Sequence, residues 1–416
     1  MAIRLTTWNV EWFGQLLKGY TRTIPQRSKR VTSTKGKALQ KLQRSQIAEE
    51  IRQIDPDILC IQEGPSTGNV DRLEAFCTDD LDEDWTVITR PENDKYLISG
   101  SQGIFFLVKT EKLDVLRPTL LPQSAWIEAT EYESRVDFTI DDSGEHKRKW
   151  PIIHPQFKPG DVQTLAEPED DDDAGEDAPQ LNDREHSHWR HPQVLVCMVG
   201  GRRVDFVGLH LKSKFSGDDY AKAGLARRKP EKTAEDIALI LRAEQTAVEA
   251  RIKLSTEAAN VRYYVDNRFR NEPNPAVFLL GDLNDGVGKE VFERKYLFHD
   301  LISNLQGDVF FANRFLNHAL FDYSNERGEN HRWTAVFADV WDPYRAPEIL
   351  LDHILFTQSV CGADAMQQSG FCVPPKAGRV EHEIHNAINA VFDRKEDHTS
   401  DHRPVTVDIH THTPMA

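Results

Sequence analysis

Short apolar runs that stop at, or break on, a polar residue recur through this chain. The first covers residues 3–10 and contains Thr7-Trp8-Asn9-Val10. The second, Ile58-Leu59-Cys60-Ile61-Gln62-Glu63, closes on a carboxylate. Val207-Gly208-Leu209-His210 ends in an imidazole, and Val277-Phe278-Leu279-Leu280-Gly281-Asp282-Leu283-Asn284 in an acid and an amide. Leu350-Leu351-Asp352-His353-Ile354-Leu355-Phe356 is interrupted by an acid. Ser400-Asp401-His402 stands immediately before the last run, 405–410. Runs of this length and composition read as strands. Strand ends are where side chains from distant parts of a sheet converge, so these polar residues are the informative ones.

Further strands are expected at 85–89, 103–109 and 193–199, the last joined across Gly200-Gly201 to 204–211 as a hairpin. A strand pair is expected around 333–337 and 350–356. Helical spacing of Leu39, Leu42, Ile47, Ile51 and Ile54 predicts a helix that stops at Asp55-Pro56, because proline disfavours helix in the residue before it. The stretch before it reads as loop up to about Ser33. One later helix is expected over 233–257. Many strands with few helices point to a layered α+β fold with two packed sheets.

The length of 416 residues allows one to three domains, and the pattern reads as a single domain over 1–416. Residues 135–192 fit it badly. They contain the acidic tract 161–185, with eleven acids and one base, too polar to bury a core and expected to be a mobile insertion. The net charge of −16 is therefore segregated rather than uniform. Residues 13–48 hold no acid and nine bases, among them Arg27, Lys29 and Arg30. A second basic cluster runs from Lys212 and Lys214 through Lys222, Arg227, Arg228 and Lys229 to Lys232. The five cysteines form no Cys-x-x-Cys pair and read as structural. No apolar run is long enough to span a membrane and no secretory leader opens the chain, so the expectation is a cytoplasmic protein.

Taken one at a time, these polar residues are ordinary turn, surface or core residues. Together they form a kit. An asparagine with two or three carboxylates makes a hard-oxygen site suited to Mg²⁺ or Mn²⁺ rather than zinc. Two histidines oriented by acids polarise phosphoryl oxygens or move protons near neutral pH.

The set resembles the endonuclease/exonuclease/phosphatase (DNase I-like) superfamily. The resemblance rests on Thr7-Trp8-Asn9-Val10, Ile61-Gln62-Glu63, His210-Leu211-Lys212-Ser213, Gly281-Asp282-Leu283-Asn284, Leu351-Asp352-His353-Ile354-Leu355 and Ser400-Asp401-His402-Arg403-Pro404-Val405, all in the superfamily's order. It implies a four-layered α/β/β/α sandwich of two packed mixed sheets. It implies that Glu63 is the main metal ligand with Asn9 beside it and Asp401 completing the site. Asp282 would orient or deprotonate the attacking water and Asn284 would bond the phosphate. His402, oriented by Asp352, would stabilise the pentacovalent phosphorus, and His210 would contact phosphate or assist the leaving group. In some nuclease relatives a carboxylate orients the histidine equivalent to His210; the nearest residue here is Gln102.

The superfamily spans several substrates. Both basic clusters adjoin motif residues, which favours a nucleic-acid backbone, DNA first, with Lys212, Lys214, Arg27, Lys29 and Arg30 as substrate contacts. The alternatives are a phosphomonoesterase or phosphodiesterase acting on a small phosphorylated or lipid substrate, and a non-catalytic binding module.

Overall fold

In the computed structural model, the described residues are 2–20, 30–90, 102–134, 138–140, 146–148, 150–153, 183–186, 188, 190–214, 219–286, 290–324 and 331–411. Five strands precede the acidic segment: β1 (Ala2–Asn9), β2 (Ile58–Gly64), β3 (Trp85–Ile88), β4 (Gly103–Lys109) and β5 (Thr119–Leu120). Within it, β6 (Phe138–Ile140) pairs with β7 (His146–Arg148), and β8 (Trp150–Ile153) with β9 (Asp183–His186). Then come β10 (Gln193–Val199), β11 (Arg202–His210), β12 (Ala276–Asp282), β13 (Leu316–His318), β14 (Ala335–Val336) and β15 (Glu348–Ile349). The series closes with β16 (Asp352–Thr357), β17 (Phe371–Cys372), β18 (Gly378–Val380) and β19 (Val405–Thr411).

Two mixed sheets result. One runs β17-β19-β1-β2-β4-β3, with β18 added to β19; the other runs β13-β16-β12-β11-β10-β5. Each has one parallel pair, β1 with β2 and β11 with β12, among antiparallel neighbours. Successive residues of a strand point to opposite faces, and here both faces are covered. Ile58 and Cys60 of β2 point into the core shared by the sheets, against residues such as Phe206 and Phe278. Leu59 and Ile61 point outward onto helices Thr34–Ile54 and Asp71–Asp80, through Ile47, Ile51, Leu73 and Phe76. On the other side Val207, Leu209, Val277 and Leu279 meet Leu254, Val261 and Val265 of helix Ala234–Asn271. The layers are helix, sheet, sheet, helix.

Three expectations need correction. The helix expected over 233–257 continues to Asn271, since Val261, Tyr264, Val265 and Phe269 extend its apolar face and Pro273 is the first residue to break it. The run 350–356 does not pair with 333–337. Thr334 Oγ1 accepts from the backbone N–H of both Leu351 and Asp352, splitting the run there, so that Glu348–Ile349 pairs with Ala335–Val336 while β16 joins β12 and β13. Helices are also more numerous than expected, among them Phe13–Leu17 inside the stretch read as loop. The Gly200-Gly201 hairpin is present, both glycines at positive φ. Of the acidic tract, 161–182 lies outside the described residues.

The parallel pairs place the site. β1 ends at Asn9, β2 carries Glu63 near its end, β11 ends at His210 and β12 at Asp282. β16 and β19 run the opposite way and so begin at the same edge. Strand register makes His210 the partner of Asp282, and Asp282 the partner of Asp352. Gly281 sits at φ +139, and a Cβ there would lie 1.9 Å from Leu209 O, so only glycine allows β11 and β12 this approach beside Asp282.

Two buried histidines hold the loop that follows β12. Leu320 N–H donates to His318 Nδ1 (3.0 Å), which puts the His318 proton on Nε2. That nitrogen donates to His353 Nδ1 (2.9 Å), and His353 Nε2 donates to Asp285 O (2.8 Å). The chain requires both rings neutral, and burial lowers both pKa values, that of His318 well below 6.5. A depressed histidine contributes stability above its unfolded pKa and loses it as pH falls through the folded value. The stability deficit of His318→Gln relative to wild type is therefore expected to be full above about pH 6.5 and to shrink on acidification. Urea titrations at stepped pH measure it, and a deficit that grew toward acid would contradict this chain of bonds.

Candidate functional site

His402 comes from the loop leading into β19 of one sheet, and Asp352 from β16 of the other. His402 Nδ1 lies 2.6 Å from Asp352 Oδ2; the carboxylate accepts, so Nδ1 carries the proton and Nε2 is turned away from Asp352. Asp352 is fully buried and its Oδ1 has no hydrogen-bond partner. Burial alone would lower the His402 pKa, but Asp352, Asp401 and Asp282 outweigh it and hold it well above 6.5. The loop carrying His402 is strapped in place. Ser400 Oγ–H donates to Asn9 O (2.6 Å), and the same oxygen accepts from His402 N (3.0 Å). Trp8 Nε1 donates to His402 O (3.1 Å). Thr399 Oγ1 donates to Glu50 Oε2 (2.7 Å), and the other Glu50 oxygen lies 2.8 Å from His385 Nδ1.

A second bond joins the sheets: Asn9 Nδ2 donates to Asp282 Oδ2 (2.9 Å). Asp282 Oδ1 accepts from Asn284 N (2.8 Å), a tight turn in which Asn284 takes φ 51. Asn284 Nδ2 also donates to Leu211 O (2.9 Å), leaving its second hydrogen for a ligand. Burial pushes the Asp282 carboxyl up to about 7, with His402 opposing and Asp352 adding to the rise.

Glu63 sits at φ 61, and its Oε2 accepts from Trp12 N (2.7 Å). Burial raises its pKa, while the Trp12 N–H and the Arg190 charge oppose the rise. Asn9 Oδ1 is buried and accepts no hydrogen bond. Asp401 is exposed at the rim, its Oδ1 3.9 Å from His402 Nε2. An orphaned amide oxygen beside buried and rim carboxylates fits a hard divalent cation. Among the described residues, Asp282, Asp352 and His402 also bring ligand atoms within 4.8 Å of one another. The Asp282 oxygens, Asp352 Oδ2 and His402 Nδ1 are already bonded, and a protonated His402 has no lone pair to give a metal, so Asn9 and Glu63 are the better fit.

The structure brings Asn9, Asp282, Asn284, Asp352 and His402 together by direct bonds or strand register, with Glu63 and Asp401 electrostatically coupled to His402. His210 is also here, its Nε2 3.5 Å from Asp282 Oδ2, but it differs from expectation. Its Nδ1 is buried without a partner, and Gln102 does not orient it. Gln102 Oε1 instead accepts from Arg190 Nε (3.0 Å) and Nη2 (2.5 Å). Burial, then the charges of Arg190 and His402, hold the His210 pKa well below 6.5. Arg190 belongs to the 135–192 segment, which the sequence presents as an insertion apart from the site. The return of aromatic and basic residues in His186-Ser187-His188-Trp189-Arg190-His191, just before β10, is the signal that marks it.

The charges of the second basic cluster, expected as substrate contacts, are largely engaged by protein partners. Lys214 Nζ is held by Asp285, Glu290 and Glu293, so its charge is already balanced. Lys212 Nζ donates to Ser213 O (2.7 Å) and is half-buried. Arg227 lies over the Trp341 ring, Arg228 donates to Val340 O, and Lys229 pairs with Asp236. In the first cluster, Arg30, Lys35, Lys37 and Lys41 are exposed, whereas Arg27 and Lys29 lie outside the described residues. No described helix is long and apolar enough to cross a membrane.

A sequence model of the Endonuclease/Exonuclease/phosphatase family matches residues 6–402. No curated protein matches the sequence. Among solved structures, truncated Caenorhabditis elegans TDP2 aligns at 11% identity over 98% of this chain and 97% of that one, with a TM-score of 0.43. The human Nocturnin catalytic domain aligns at 13% identity over 99% and 94%, TM-score 0.37. An endonuclease/exonuclease/phosphatase family protein from Bacteroides thetaiotaomicron aligns at 12% identity over 98% of each chain, TM-score 0.43.

Asp352→Asn keeps the shape of its partner to His402 and removes the charge. The His402 ring is expected to lose its proton at a lower pH than in wild type. Ring-nitrogen NMR across pH measures this, and an unchanged titration would contradict the electrostatic account of the pair.

Proposed function

This chain belongs to the endonuclease/exonuclease/phosphatase family, and from that premise we propose that it is a divalent-metal-dependent phosphodiesterase that cleaves nucleic-acid backbones, DNA first, by in-line attack of water. The single observation that carries the reading is the seam where Asp352 holds His402 and Asn9 holds Asp282 across two sheets. It sets a cationic donor opposite a buried carboxylate, the two roles that hydrolysis at phosphorus needs.

Asn9 Oδ1, Glu63 and Asp401 would hold Mg²⁺ or Mn²⁺. Such an ion supplies charge neutralisation at the phosphoryl oxygens. The remaining work falls to the chain. Asp282, with a carboxyl pKa near neutrality, accepts a hydrogen bond from water and aligns it for attack. His402 presents a proton to a non-bridging oxygen, and Asp352 keeps that proton in place. Asn284 offers its free amide hydrogen to the same group. His210, uncharged and buried, contacts substrate as a neutral imidazole.

The exposed row Arg30, Lys35, Lys37 and Lys41 supports a polyanionic substrate. One observation favours the second reading, a small phosphorylated substrate. A cavity of about 250 Å³ opens beside His402, Asn284 and Asp401, with Val336, Phe337, Ile349 and Leu351 as an apolar wall.

The test is cleavage of plasmid, linear duplex, single-stranded DNA and RNA, and of bis-p-nitrophenyl phosphate. Each is run with Mg²⁺, Mn²⁺ or EDTA. Cleavage is expected to stop in EDTA and to fall about 100-fold or more in Asp282→Asn and His402→Ala. Replacing Arg30, Lys35, Lys37 and Lys41 by Gln is expected to raise KM for DNA and flatten its salt dependence, with turnover of the small ester unchanged. Cleavage of the small ester alone would favour the second reading, and full activity in Asp282→Asn would overturn both.

A further inference from the structure

Among the described residues, Arg190 stands at the site outside both the motifs and the mechanism. Its guanidinium grips two separate elements. Nε and Nη2 donate to Gln102 Oε1, the residue leading into β4 of the first sheet. Nη1 donates to Leu211 O (3.1 Å) and more weakly to His210 O (3.4 Å), at the end of β11 in the second sheet. Leu211 O also accepts the Asn284 amide, so one carbonyl anchors both Arg190 and the loop carrying Asp282 and Asn284. Three carboxylates face the guanidinium: Glu63, Glu257 and Asp282. Glu257 in turn accepts from Lys212 N (2.7 Å), holding the next turn of the same strand end.

We propose that Arg190 is a positioning residue of this site: its planar fork clamps the His210–Leu211 strand end to Gln102. The clamp places the final residues of the 135–192 segment within the catalytic architecture. The inference rests on the proposed phosphodiesterase reading only for its kinetic consequence.

The chemistry of the fork follows from its shape. Guanidinium presents five donors in one plane and stays charged, so it satisfies the Gln102 amide oxygen and two backbone carbonyls at once. An ammonium at the same position keeps the charge but cannot span both elements. The clamp also decides what His210 can do. With Gln102 oxygen turned to Arg190, no carboxylate among the described residues bonds His210 Nδ1, and a cation stands beside the ring. The groups facing His210 are Arg190, His402 and Asp282, and two of these three are cationic when charged. Burial first, and then these two cations, keep the ring a neutral hydrogen-bonding group, and protonation of the leaving oxygen falls to solvent.

The experiment compares wild type, Arg190→Lys and Arg190→Gln in the full chain. Turnover of bis-p-nitrophenyl phosphate with Mn²⁺, thermal midpoint and the ring-nitrogen NMR signals of His210 without substrate are measured on each. Both variants are expected to lose at least about tenfold in kcat with KM within about twofold, because misplacement at the reacting centre costs rate rather than uniform binding. The wild-type His210 ring is expected to take up its proton well below the ordinary histidine range, and at a higher pH in Arg190→Gln than in wild type, since burial remains but the neighbouring cation is gone. Wild-type kcat in Arg190→Lys would overturn the clamp. A wild-type His210 that titrates near its ordinary value would overturn its consequence. The NMR arm does not depend on substrate, so failure of the phosphodiesterase reading, seen as no ester cleavage by wild type, is distinguishable from failure of this inference. A large fall in the thermal midpoint of both variants, with the wild-type kcat retained by the folded fraction, would reduce Arg190 to a structural role.

Discussion

A buried hydrogen bond between two sheets, His402 to Asp352, is the constraint around which the rest is arranged. Neither partner is stable there alone. Removing one member of a buried ion pair leaves an uncompensated charge at a cost of about 3–5 kcal/mol. The sandwich therefore has to bring the β16 start and the approach to β19 to one edge, and it does so by topology. Both parallel pairs end at that edge, and the antiparallel strands begin there. The Asn9–Asp282 bond repeats the arrangement one strand over. The seam is thus also a weld between layers whose shared core is otherwise apolar.

Backbone strain is present at the same edge. Trp12, Glu63 and Asn284 all hold left-handed φ values of 53, 61 and 51. Non-glycine residues in this region cost of order 1 kcal/mol or more each. Every one is bonded into the site. Trp12 N caps Glu63, and Asn284 N caps Asp282. The neutral His318–His353 chain behind Asp285 and the Glu50–Thr399 bond behind Ser400 hold the two loops from the rear. Rigid elements and a supporting shell keep a site in productive geometry, and here the shell is mostly buried polar groups with defined tautomers.

Much of this was legible in the chain itself. Strand ends capped by Asn9, Glu63, His210, Asp282 and Asp352 stand out because a polar residue interrupts an apolar run, and continuous apolar runs report a strand covered on both faces. The helix ending at Ile54 was readable from Asp55-Pro56. The pairing of 350–356 was not, because it is decided by Thr334 Oγ1, a contact across seventeen residues with no local pattern. Lys214 looked free because its three carboxylate partners lie about seventy residues away in sequence. Arg190 was hidden by its neighbourhood: a long acidic tract lowers the mean hydropathy of everything near it. Charge runs report composition, whereas the commitment of each charge is set by tertiary contacts.

On this reading Asn9 and Glu63 hold the divalent cation, while His402, held by Asp352, faces the phosphate. Titration of Mn²⁺ into wild type, Glu63→Gln, Asn9→Leu and Asp352→Asn, followed by electron paramagnetic resonance, tests it most directly. The prediction is one tight site that weakens about tenfold or more in Glu63→Gln and Asn9→Leu and persists in Asp352→Asn. Loss of the site in Asp352→Asn with undiminished affinity in the other two would contradict it and move the metal to the Asp282–Asp352–His402 group.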